Sequence, residues 1–152
     1  MGSKRLIILS ASESRSTNPQ PLPAIERYQG VFFRVVRKYV REGKLKNTDI
    51  IVVSERYGVL QADEEVLYHA PFQGKLNLSK QILEEINQKN LAKLKSIFNK
   101  TRYSEIIVVC GQEFRELIKG FEELTDARIV LCKGRGLGPK AQNLKQWILK
   151  KR

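Results

Sequence analysis

The sequence predicts a single α/β domain over residues 1–152, with a mostly parallel sheet of four or five strands and helices on both faces. Three observations carry that expectation. Four short runs rich in β-branched residues, at 5–10, 49–54, 105–110 and 127–132, read as strands. Each leads towards a segment with helical spacing, the alternation expected of strand–helix crossovers. The runs are apolar almost throughout rather than alternating, which suits parallel strands covered on both faces. A length of 152 residues is enough for one core, and no linker, repeat or low-complexity tract interrupts the chain.

The first strand, 5–10, opens into a loop at 11–23, where Pro19, Pro21 and Pro23 block helix propagation. From Ala24 the spacing becomes helical: Ile25, Tyr28, Phe32, Val35, Val36, Tyr39 and Val40 share one face, and Gly43 suits a C-terminal cap. The second strand at 49–54 precedes an irregular stretch at 55–77, long enough to suggest a function. A helix is predicted over 78–99, with Ile82, Leu83, Ile86, Leu94, Ile97 and Phe98 inward. The third strand runs directly into a helix at 113–120, and the fourth reaches a glycine-rich turn before a last helix at 139–151.

The composition, 41% hydrophobic and 29% charged, is that of a globular chain. No apolar run approaches the roughly 20 residues of a bilayer span. The apolar stretch at 6–11 is short for a secretion signal, and Leu6 breaks the myristoylation pattern. A cytoplasmic protein with no membrane partner is therefore expected. With one histidine, His69, and two cysteines ending strands, Cys110 and Cys132, no metal site of the usual kind is expected, nor is a cofactor.

The net charge of +12 is high and uneven. Residues 133–152 hold seven basic side chains and no acidic one, and residues 27–47 hold seven against the single Glu42. Such clusters are the electrostatic footprint of a polyanion, and Arg34, Arg37, Lys38, Arg41, Lys133, Lys140 and Lys145 are the candidate phosphate contacts.

In open α/β sheets ligands bind beyond the carboxyl ends of the strands. That rule selects Ser10 and Ser12 after the first strand, Ser54, Glu55, Tyr57 and Gly58 after the second, and Cys110 and Gly111 after the third. After the fourth it selects Gly134, Arg135 and Gly136, where glycines would let the backbone approach an anion beside a helix amino terminus. The turn is neither a Walker nor a dinucleotide fingerprint. Glu55 is the candidate general acid or base, and Tyr68 with His69 offers a stacking surface. A Ser–His hydrolase is disfavoured, since no Gly-x-Ser-x-Gly elbow exists.

Several segments together resemble the YaaA family of bacterial proteins linked to peroxide stress, and more closely a shorter group of related domains. Val53 and Ser54 with Tyr57, Gly58, Val59 and Leu60 match its Ser-x-x-Tyr-Gly-Val-Leu core, followed by Asp63 or Glu64 and Tyr68. Pro23, Ala24, Tyr28, Gly30 and Phe32 or Phe33 resemble an earlier element. The first strand with Ser10 resembles the opening of the family, and Lys133-Gly134-Arg135-Gly136 its Lys-x-Arg-Gly element. Where the family has a lysine after the first strand, this chain has Ser12, Glu13, Ser14 and Arg15, so a mechanism needing a neutralisable amine would fail. The resemblance implies a similar α/β core, a pocket at the strand ends and DNA binding, although no helix-hairpin-helix element can be located.

Two functions compete. One is nucleic-acid or nucleotide binding through a basic strand-end pocket and basic helices. The other is a small nucleotide- or nucleobase-processing enzyme in which Ser10, Ser54, Glu55, Tyr57, Cys110 and Arg135 converge on one ligand.

Overall fold

The computed structural model describes residues 4–72, 76–132 and 134–150. In chain order the elements are β1 (Lys4–Ser10), β2 (Leu22–Pro23), α1 (Ala24–Arg27), α2 (Val31–Arg41), β3 (Thr48–Ser54), β4 (Gly58–Gln61) and β5 (Glu65–Val66). These are followed by α3 (Lys80–Lys100), β6 (Tyr103–Val109), α4 (Gln112–Glu116), a 3-10 turn (Phe121–Leu124), β7 (Arg128–Leu131) and α5 (Leu137–Leu149). Five strands form one sheet in the order β4-β3-β1-β6-β7, parallel except for β4, which pairs antiparallel with β3; β2 and β5 form a separate two-stranded ribbon. The predicted fold class is the one observed.

The four apolar runs become β1, β3, β6 and β7. Leu6, Ile7, Ile8 and Leu9 are fully buried at the centre of the sheet, which explains why that run carries no polar alternation. Arg5 and Glu105 are partners in register, and both meet Trp147 of α5. Their neighbours Lys4 and Tyr103 turn to the opposite face, where Phe98 of α3 packs on the Tyr103 ring. The sheet is thus covered on both sides, with α2 lying beside α5.

Two expectations need correction. The continuous helix expected from Ala24 is two helices, broken at 28–30. Tyr28 and Gly30 are extended, with ψ of 134° and 171°, and Tyr28 forms a single antiparallel bridge with Arg15. The helical spacing survives the break because both pieces face the same core. The stretch at 55–77 also holds a hairpin: Gly58–Gln61 folds back on β3 and makes an antiparallel sheet edge.

From β1 the chain crosses to β3, and from β6 it crosses the other way to β7, so the switch point lies between β1 and β6. Ser10 and Gly111 flank it.

Candidate functional site

The turn between β3 and β4 is fixed from within. Ser54 is fully buried, and its Oγ accepts the amides of Arg56 and Tyr57, each at 3.1 Å. Gly58 has φ of +72°, and a Cβ there would collide with the side-chain oxygen of Asn90. Asn90, buried on α3, accepts the Val59 amide at 3.1 Å and donates to the Leu117 carbonyl at 2.9 Å.

That turn carries Glu55 inward. Arg15 Nη2 donates to Glu55 Oε1 at 3.1 Å, and Arg15 Nη1 lies 3.0 Å from Oε2. The two side chains are only 2% and 9% exposed. Arg15 Nη1 also lies 2.9 Å from Nδ1 and 3.3 Å from Nε2 of His69. Such similar distances place it over the imidazole, since a donor in line with one nitrogen's lone pair lies far from the other. Tyr28 Oη is 2.9 Å from His69 Nε2, and the Tyr57 ring meets the imidazole edge-on with centroids 5.1 Å apart. Four segments with little regular structure therefore meet at one buried cluster. Burial, then the charge of Arg15, holds the His69 pKa below its ordinary value, against the opposing pull of Glu55. Burial likewise raises the Tyr28 phenol.

Beside it, Arg27 is 0% exposed and donates to the carbonyls of Ser16, Asn18, Gln20 and Val66 at 2.7–3.1 Å. It ties down residues 16–20 of the proline-rich loop, between the Arg15–Tyr28 bridge and β2.

The remaining candidates divide by location. Ser10 Oγ accepts the Gly111 amide at 3.4 Å at the switch point. Ser12 Oγ donates to the Ser14 carbonyl at 2.7 Å and accepts the Gly30 amide at 3.1 Å, so it fastens the first loop to the start of α2. The Cys110 thiol lies against the Ile8 carbonyl, and burial pushes its pKa up to about 12, which makes it a poor nucleophile. Tyr57 donates to the Leu67 carbonyl at 3.3 Å and is part-exposed, as is Tyr68. A Cβ on Gly134, where φ is +143°, would press on Pro139 and the Lys140 amide at 2.9 Å; this glycine serves close packing on α5. Arg135 and Gly136 are exposed, while Lys133 lies outside the described residues.

These residues fall into groups: Ser10, Cys110 and Gly111 meet at the switch point, and Ser54, Glu55 and Tyr57 share the β3–β4 turn. With strand order β3-β1-β6-β7, the carboxyl ends of β3, just before Glu55, and of β7, four residues before Arg135, are three strand spacings apart, about 14 Å. The concavity next to Gly111, about 400 Å³, is lined by Phe72, Gly111, Gln112, Glu113, Phe114 and Glu116. Among the described residues its charged lining is Glu113 and Glu116, and none of the cations expected from the sequence lines it. Among the described residues no three His, Cys, Asp or Glu side chains gather as metal ligands would.

On the helices the cations differ in kind. Arg34, Lys38 and Arg41 are exposed along α2. Arg37 instead donates to the carbonyls of Ile25 at 2.8 Å and Tyr28 at 3.0 Å and to Gln29 at 3.3 Å. It caps the end of α1, which corrects its assignment as a phosphate contact. Lys140 and Lys145 are half-buried on α5.

Sequence reasoning found Glu55 and missed its setting. Arg15 entered only through the family resemblance, Tyr28 there and on the apolar face of a predicted helix, and His69 as a stacking surface and as the single histidine that argues against a metal site. The usable signal was chemical: a carboxylate just past a buried strand needs a cation, and the first loop supplies Arg15.

Comparison with known proteins adds the lineage. Residues 6–146 match the model of a family of unknown function (DUF6884), so the chain belongs to that family. No curated protein matches. Among solved structures the chain is similar to AF0587, a protein of unknown function, with a TM-score of 0.54 and 15% identity over 99% of this chain. The chain spans 46% of AF0587, and the likeness supports the fold alone. Among the described residues no helix is long and apolar enough to cross a membrane.

Proposed function

We propose that the chain binds nucleic acid through the outer faces of α2 and α5. One observation carries this reading. Arg34, Lys38 and Arg41 recur at helical spacing on the exposed side of α2, and among the described residues none is paired with a carboxylate. At 1.5 Å rise per residue they span about 10 Å, roughly three nucleotide steps of one strand. The neighbouring α5 adds Lys140 and Lys145. The resemblance of the 53–60 segment to the YaaA family, which implies DNA binding, supports the same reading. A nucleotide-processing enzyme is supported less, because Glu55 is closed in by Arg15 and His69 rather than open to a ligand.

The test is fluorescence anisotropy of labelled duplex DNA, single-stranded DNA and RNA against rising salt. The reading expects binding at low salt, with log K falling linearly in log salt by about 0.9 per phosphate contacted on a duplex. Absence of binding to all three at low salt would refute it.

A further inference from the structure

We propose that Arg15, Glu55 and His69 form a proton-operated latch: a neutral imidazole holds the first loop closed at Ser14 and Arg15, and protonating His69 opens it. The argument begins with charge. In the closed state Arg15 and Glu55 supply one cation and one anion in a site nearly sealed from water. Facing the imidazole are Arg15 from the first loop, Glu55, Arg56 and Tyr57 from the β3–β4 turn, and Arg27 and Tyr28 from the end of α1. Glu55 is the single carboxylate in that group. A proton on His69 therefore adds a further cation, 2.9 Å from Arg15 Nη1, to a group in which Arg15, Arg27 and Arg56 already face one carboxylate.

The geometry also supplies a competitor for the carboxylate. Glu55 Oε2 pairs with Arg15 Nη1 at 3.0 Å but accepts no aligned hydrogen bond, and it lies 3.6 Å from His69 Nδ1. An imidazolium donates from both nitrogens, so it can take Oε2 while repelling the guanidinium. Both effects push Arg15 outward, and burial with the Arg15 charge sets the transition below the ordinary histidine value of 6.5.

Opening should be local. Arg27 grips the carbonyls of Ser16, Asn18, Gln20 and Val66, and a guanidinium does not titrate in the working range. The far part of the loop therefore stays in place, and the near part moves. The Gln29 amide, which donates to the Ser14 carbonyl at 2.8 Å, is the natural reporter.

His69 is the chain's one histidine, so its ring protons give an unambiguous NMR titration. The experiment follows that titration together with amide hydrogen exchange, corrected for intrinsic pH dependence. Exchange at Gln29 is expected to rise by up to roughly tenfold per pH unit as pH falls from 6.5 through the His69 midpoint. The Ala62 amide, bonded to Ile50 beside the sheet, should remain protected. His69→Gln keeps a polar side chain that cannot titrate, and it should remove the step. An unchanged Gln29 amide across the His69 titration would overturn the proposal, as would simultaneous loss of protection at Ala62 or a step that persists in His69→Gln. Should that variant not fold, the wild-type titration decides alone.

Discussion

On the outer face of α2, Arg34, Lys38 and Arg41 point into solvent with no carboxylate partner among the described residues. In the first loop and at the end of α1, Arg15 and Arg27 are buried and engaged by the chain's own oxygen atoms. Both regions add to the same net charge of +12, yet only the first leaves that charge available to a partner. A charge count therefore locates a basic protein but not a binding surface. Within the second region the two arginines also differ: Arg27 holds neutral carbonyls, whereas Arg15 holds a carboxylate and a titratable ring.

Substitutions can test this contrast, beginning with the largest effect. Arg27→Ala should destabilise the protein by about 3–5 kcal/mol in urea unfolding, since it strips four carbonyls of their donor and leaves a large void. Glu55→Gln should cost about 3 kcal/mol by leaving the Arg15 guanidinium buried without its counter-charge. Gly58→Ala should cost about 2 kcal/mol, because φ of +72° and the Asn90 oxygen both oppose a Cβ. A smaller effect comes from pH. The unfolded chain takes up a proton on His69 near 6.5 and the folded chain only at a lower pH, so the contribution present above 6.5 is lost as pH falls through the folded value. Urea midpoints measured above and below that window should therefore decrease on acidification, and the decrease should be smaller in His69→Gln. Reversing Arg34, Lys38 and Arg41 should change the urea midpoint least of all, since those side chains are exposed and have no carboxylate partner among the described residues.

The sheet was legible in the sequence because β1, β3, β6 and β7 are buried runs whose composition reports their environment directly. The break at 28–30 was not, since α1 and α2 keep one apolar stripe, and what separates them is the bridge from Tyr28 to Arg15, 13 positions earlier in the chain. The β4 hairpin was hidden because four residues are too few for an alternating pattern to show. Glu55 could be placed by the strand-end rule. Its partners Arg15 and His69, 40 residues before it and 14 after it, follow no spacing rule and come together only through the loops. Arg37 shows the converse: its position in a basic helix suggested phosphate, and only the fold reveals the carbonyls it caps.

The central claim is that nucleic acid binds one face and not the whole basic surface. The most direct measurement compares two triple variants with the same change in charge, Arg34→Glu/Lys38→Glu/Arg41→Glu on α2 and Lys80→Glu/Lys89→Glu/Lys95→Glu on α3, whose lysines are also exposed. In salt-titrated anisotropy with duplex DNA and RNA, the α2 variant should bind at least about tenfold more weakly, with a salt slope shallower by up to roughly 2.7. The α3 variant should remain within about threefold of wild type, the loss of long-range attraction alone. Equal losses in the two variants, or no loss in the α2 variant, would contradict the account.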